Sequence, residues 1–155
     1  MSFSTQPSNI VEMDFLVLKE DYSRYLLSDG TILKAKIVVR KIFKSLDMTA
    51  QGYPFAVTFD GFNAVNVIVP KHLKHRPSTE PLDIKKDIGE EVEFQPQEEK
   101  WQEYITATEG LKVLIKPVVT KVIRYKKYDM YGDPIYTVNI QSITNLEKIP
   151  TTATS

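Results

Sequence analysis

The stretch "KAKIVVRKIFKS" at residues 34–45 returns in altered form as "LIKPVVTKVIRY" at residues 114–125. Lys36, Val38, Val39 and Lys41 reappear as Lys116, Val118, Val119 and Lys121, each 80 positions later (116 − 36 = 80). Walking outward keeps the spacing. Gly52 and Pro54 meet Gly132 and Pro134, Val69–Pro70 meets Ile149–Pro150, and Asp29–Gly30 meets Glu109–Gly110. Further upstream the spacing slips to 79, a one-residue indel. There Tyr25–Leu26 meets Tyr104–Ile105, Tyr22 meets Trp101, and "EMDF" (12–15) meets "EVEF" (91–94). A near-constant spacing that includes Gly and Pro, whose backbone demands are specific, is the mark of one unit used twice. The expected organisation is a unit at 11–70, a linker at 71–89, a second unit at 90–150, and disordered ends at 1–10 and 151–155. A unit of about 60 residues is marginal alone. Two of them are therefore expected to share one core around a pseudo-twofold, the covalent equivalent of a dimer.

Within each unit the apolar residues alternate. Leu33, Ala35, Ile37 and Val39 form one face while Lys34, Lys36 and Arg40 form the other, a period of two that predicts strands. Residues 11–18 read as a single strand. Asp29–Gly30 and Asp60–Gly61 each read as hairpin turns, because Asp-Gly suits the tight turns that join antiparallel strands. Residues 71–87, with two prolines and a broken apolar rhythm, read as a linker. "EDYSRYLL" and "QEEKWQEYI" each carry aromatics at helical spacing and admit one helical turn before each hairpin. The predicted fold is all-β: an internally duplicated β-barrel or sandwich of two similar units, about four strands in each, with at most short helical turns.

Twenty basic and twenty acidic residues leave no net charge, and both halves are nearly balanced, with ten and eight in 1–80 and ten and twelve in 81–155. Proteins that live by wrapping phosphate backbone usually carry a basic excess. The chain has no cysteine, which excludes disulfides, thiolate metal sites and thiol nucleophiles. No secretory leader and no apolar run of membrane-spanning length is visible, so a cytoplasmic, non-membrane protein is expected.

Few residues spell out chemistry. Lys41 and Lys121 share parity with the buried Val39 and Val119, and a lysine facing a β core is expensive unless paired. One reading makes them a pseudo-symmetric pair that binds an anion or other ligand. The other places a β-bulge after Val39 and Val119 that turns both to water, favoured by Val38 and Ile42 on the opposite parity. A basic and aromatic surface is a second candidate: Lys34, Lys36, Arg40, Arg124, Lys126 and Lys127, with Tyr125, Tyr128 and Tyr131, fit the pattern by which small β-folds hold single-stranded nucleic acid. The same lysines also suit a role in shielding sheet edges. His72 and His75 sit in a solvated basic linker without a third ligand. No metal, cofactor or catalytic constellation is expected. The function expected is therefore a non-catalytic binding or assembly module working through protein–protein contacts or self-association, with single-stranded nucleic-acid binding as the alternative. An enzyme built from Lys, Tyr and carboxylates at the pseudo-twofold is the third possibility.

Overall fold

The structure, a computed structural model, describes residues 9–47 and 52–149. The ends expected to be disordered lie outside the described residues, except Asn9 and Ile10, and Ile10 opens the first strand. The first half forms β1 (Ile10–Met13), β2 (Leu16–Lys19), β3 (Ser23–Leu27), β4 (Ile32–Ser45) and β5 (Ala56–Ile68). The second forms β6 (Gly89–Glu91), β7 (Phe94–Glu98), β8 (Gln102–Thr106), β9 (Leu111–Tyr128) and β10 (Pro134–Lys148). Among the described residues the one helical element is a turn of 3-10 helix at Lys71–Leu73. The chain is all-β, as its alternation implies, with five strands in each half rather than four.

The strands make two open antiparallel sheets; neither closes, so a single barrel is not formed. In the first, β5 runs along one edge of β4, and the other edge is shared by β3 against residues 32–35 and β1 against residues 42–45. In the second, β10 lines one edge of β9, with β8 against residues 111–115 and β6 against 123–125 on the other. The fifth strand of each sheet comes from the opposite half: β7 adds to β3, and β2 adds to β8. This exchange requires a break at Asp14–Phe15, where a single strand is predicted. Val11, Met13, Phe15 and Val17 keep the period across the break, so periodicity alone does not reveal it.

Thr31–Ser45 and Leu111–Tyr125 have the same order of buried, half-buried and exposed positions. Each alternates as far as Val39 or Val119, exposes two residues, and turns inward again at Ile42 or Val122. The cause is a slip in the ladder between Val39 and Lys41 on β4, matched by one between Val119 and Lys121 on β9. An extra residue at a bulge reverses the faces that follow it.

Asp60–Gly61, predicted as a turn, instead lies inside β5 across from this bulge. The glycine is there for space: a Cβ on Gly61 would strike the carbonyl oxygen of Val38. Because that obstacle is backbone, Gly61→Ala is expected to destabilise by about 1–3 kcal/mol, the usual range for overpacking. At roughly 2–4 °C per kcal/mol for a chain of this size, a thermal melt would register the change clearly. Asp29–Gly30 does form the turn between β3 and β4, with Gly30 at φ +91°.

The predicted helical turns are also replaced by strand. Ser23, Tyr25 and Leu27 on β3, and Gln102, Tyr104 and Thr106 on β8, are the buried positions, a period of two that overrides the helical spacing of Tyr22/Tyr25 and Trp101/Tyr104. Two apolar clusters result, and each draws on both sheets. One joins Met13, Ile37, Val39 and Ile42 to Tyr104, Val113 and Ile115. The other joins Tyr25, Leu27, Leu33 and Ala35 to Val92, Val119 and Val122. The segment after the 3-10 turn runs along the β9–β10 hairpin: the His75 N–H donates to the Gly132 carbonyl (3.0 Å), and the Ser78 N–H donates to that of Tyr128 (3.1 Å).

Candidate functional site

The bulges send both candidate lysines to the surface. Lys41 pairs with Glu12 at 3.3 Å beside Phe43 and Asp60, and Lys121 is exposed on the other sheet. The basic and aromatic residues are likewise divided. Lys34 and Lys36 lie over the Tyr22 ring at 5.3 and 4.6 Å, as Lys116 lies over Trp101 at 5.4 Å. Arg40 pairs with Asp60 at 2.9 Å. Arg124 pairs with Asp29 at 2.9 Å, and Tyr125 is buried. Tyr128 stacks against His75 with centroids 4.8 Å apart. Lys126 is exposed, Lys127 reaches Glu80 at 3.9 Å, and Tyr131 is 73% exposed. The nine residues thus do not form one strip: Lys34, Lys36 and Arg40 belong to the first sheet, the others to β9 and the tip beyond it.

Between the sheets lie polar links that the sequence did not reveal. The Tyr25 hydroxyl donates to Glu99 (2.7 Å) and accepts from the Val119 N–H (3.2 Å). The Tyr104 hydroxyl donates to Glu20 (2.8 Å) and accepts from Gln102 (2.6 Å), while Glu20 also accepts from the Val39 N–H at 3.3 Å. The two sets keep the sequence spacing: 104 − 25 = 79, 99 − 20 = 79 and 119 − 39 = 80. Burial first, and then the neighbouring carboxylate, push both phenols well above their ordinary range. At the sheet ends Arg124 meets Asp29, and Lys44 meets Glu109 at 3.3 Å; each pair joins a long strand of one half to a turn of the other. Burial alone would raise the Asp29 carboxyl. Hydrogen bonds from Tyr136, Thr31 and Arg124 outweigh it and hold the group below its usual value. These groups cross-link the sheets.

The unsatisfied chemistry is at an edge. All four residues of β2 are exposed, with Leu16 at 67%, Val17 at 53% and Leu18 at 49%. One side of β2 pairs with β8; among the described residues no strand pairs with the other. Such an edge presents free N–H and C=O groups, which proteins ordinarily shield with proline, charge or polar side chains. The edge strand β7, 79 positions on, carries that shielding as Gln95, Pro96, Gln97 and Glu98. The outer strand β10 exposes Asn139, Gln141, Asn145 and Glu147. On β5 the exposed Phe62, Val65 and Ile68 are interrupted by Asn63 and Asn66. Among the described residues only β2 sets three apolar residues in succession against solvent. Sequence reasoning missed this edge because an apolar run reads as core by default; the signal was the contrast between "LVLK" and "QPQE" at equivalent places.

Comparison with protein families, with curated proteins and with solved structures gives no match to this chain. Among the described residues no helix is long and apolar enough to cross a membrane.

Proposed function

We propose that the protein is a non-catalytic binding module that takes an extended segment of a partner protein as an added strand along β2. The observation that carries this reading is the exposed, unshielded Leu16–Val17–Leu18 edge beside its shielded counterpart β7. In strand addition, main-chain hydrogen bonds supply affinity and alternate side chains supply selectivity. Charge selects the partner. Asp14 and Asp21 flank β2, both exposed and without an ion pair among the described residues. In the antiparallel register that aligns all four β2 residues with themselves, a second copy would set Asp14 against Asp21. A partner strand with an apolar centre and basic flanks fits better than self-association.

The scaffold under this edge is best read as one five-strand unit used twice around a shared core. The common strand scheme, the exchange of β2 and β7, and the reciprocal Tyr–carboxylate and Arg/Lys–acid links all support that reading.

Selection of extended peptides from a displayed library tests the binding reading. Peptides with β-branched centres and Lys or Arg flanks are expected to be enriched. Leu16→Lys combined with Leu18→Lys, changes to exposed side chains that mimic natural edge protection, should abolish their binding while leaving the melting curve intact. Enrichment of nothing, or equal binding by the double variant, would remove the proposal.

A further inference from the structure

The linker and the end of β9 line a shallow, open cleft of about 340 Å³, bordered by His75, Arg76, Thr79, Lys126, Lys127 and Tyr128. Its walls are held together by the Ser78 N–H donating to the Tyr128 carbonyl, by the Tyr128 N–H donating to the Ser78 Oγ, and by the stack of His75 on Tyr128. Arg76 and Lys126 are exposed and have no ion pair among the described residues. The one acid at this cleft, Glu80, is 84% exposed and 3.9 Å from Lys127. At this cleft Arg76, Lys126 and Lys127 meet one screened acid, while the adjoining tip sets Asp129 and Asp133 against Lys74, a small basic excess in a chain that is neutral overall. The hairpin tip stands next to this wall, because the Gly132 carbonyl accepts from the His75 N–H. Its Tyr131 ring, beside Gly132, is 73% exposed. Cations that track phosphates beside an open aromatic face are the elements of single-strand recognition.

We infer that this cleft binds the phosphates of a short single-stranded nucleic-acid segment while a base stacks on Tyr131. A duplex would need a broader basic field than a neutral chain offers, and a phosphorylated peptide would make no use of the exposed ring. The site is separate from the β2 edge and does not depend on it. Lys34, Lys36 and Arg40 take no part, since they lie on the other sheet, over Tyr22 or paired with Asp60.

Fluorescence anisotropy of labelled oligo-dT and oligo-U with the full chain tests the inference. Roughly three phosphate contacts imply a slope of log affinity against log salt of about −2, so a tenfold rise in salt should weaken binding about 100-fold. Arg76→Ala with Lys126→Ala should bring the slope to about −0.7, and Tyr131→Ala should weaken binding about fivefold or more. All three side chains are exposed, and a melting curve confirms that each variant is folded. Absence of binding at low salt, or variants that bind like the parent, would overturn the inference. So would a phosphoserine peptide that binds more tightly than either oligonucleotide, which would assign the cleft to phosphorylated protein instead.

Discussion

Gln102→Leu is expected to destabilise the fold by about 3 kcal/mol, from one to three for each backbone group stranded without a partner. At roughly 2–4 °C per kcal/mol this lowers Tm by about 10 °C. Along β4 the edge between β3 and β1 carries no strand, and the peptide group of Ile37 falls in that gap. The fully buried Gln102 amide fills it as a peptide unit would. Its Oε1 accepts from the Ile37 N–H at 2.9 Å, and its Nε2 donates to the Ile37 carbonyl at 2.6 Å and to Tyr104. Leucine has a similar volume and can do neither. The corresponding place on β9 is Pro117, which has no N–H, and the residue corresponding to Gln102 is Ser23, whose Oγ accepts a single bond from Lys100. Ser23→Ala should therefore cost only about 1 kcal/mol. A calorimetric or circular-dichroism melt of both variants checks the contrast; equal Tm values for the two would contradict it.

Alkali should unfold the protein sooner than its composition suggests. Tyr25 and Tyr104 are fully buried, and each donates its proton to a carboxylate, so ionisation in the folded state sets two negative charges together. The folded value lies above the ordinary value of 10.0, so this contribution to stability is complete below about pH 10 and fades as pH rises beyond it. One pH unit above the unfolded value, each phenol costs about 1.4 kcal/mol, or about 3 kcal/mol for the pair. Tyr136, half-buried and donating to Asp29, is also raised and acts in the same direction. Urea midpoints between about pH 9 and pH 11 should fall steeply, with phenolate absorbance appearing together with unfolding rather than before it. A flat midpoint over that range would refute the linkage.

The β class and the inward positions of β4 and β9 were legible because period two is a local pattern and the same pattern recurs 80 residues further on. The bulge was legible as one of two alternatives, since Val38 and Ile42 already disagreed in parity with Val39. Asp60–Gly61 misled because the dipeptide suits a turn and a crowded strand equally well; only the Val38 carbonyl decides. Gln102, Glu20 and Glu99 were invisible for another reason: their partners lie in the other half of the chain, 65 to 84 residues away. Tyr125 looked like a binding residue because an aromatic ring can serve core or surface, and its burial beside Gly89 is a tertiary fact. Most telling, residues 16–18 read as part of a strand by the same alternation rule that placed Leu33 and Ile37, and that rule does not say whether a strand's edge is covered. The rule describes an average strand, and an unshielded edge departs from it.

The most direct test of strand addition is backbone amide exchange on the full chain, with and without a synthetic peptide alternating Val and Thr between terminal lysines. Exchange should slow at residues 16–19 and remain unchanged at residues 94–98, where Pro96 and its polar neighbours shield the edge. A peptide with glutamates in place of the lysines should protect β2 far less, because it meets Asp14 and Asp21. Protection on β7 or β5, or none on β2 at saturating peptide, would contradict the account.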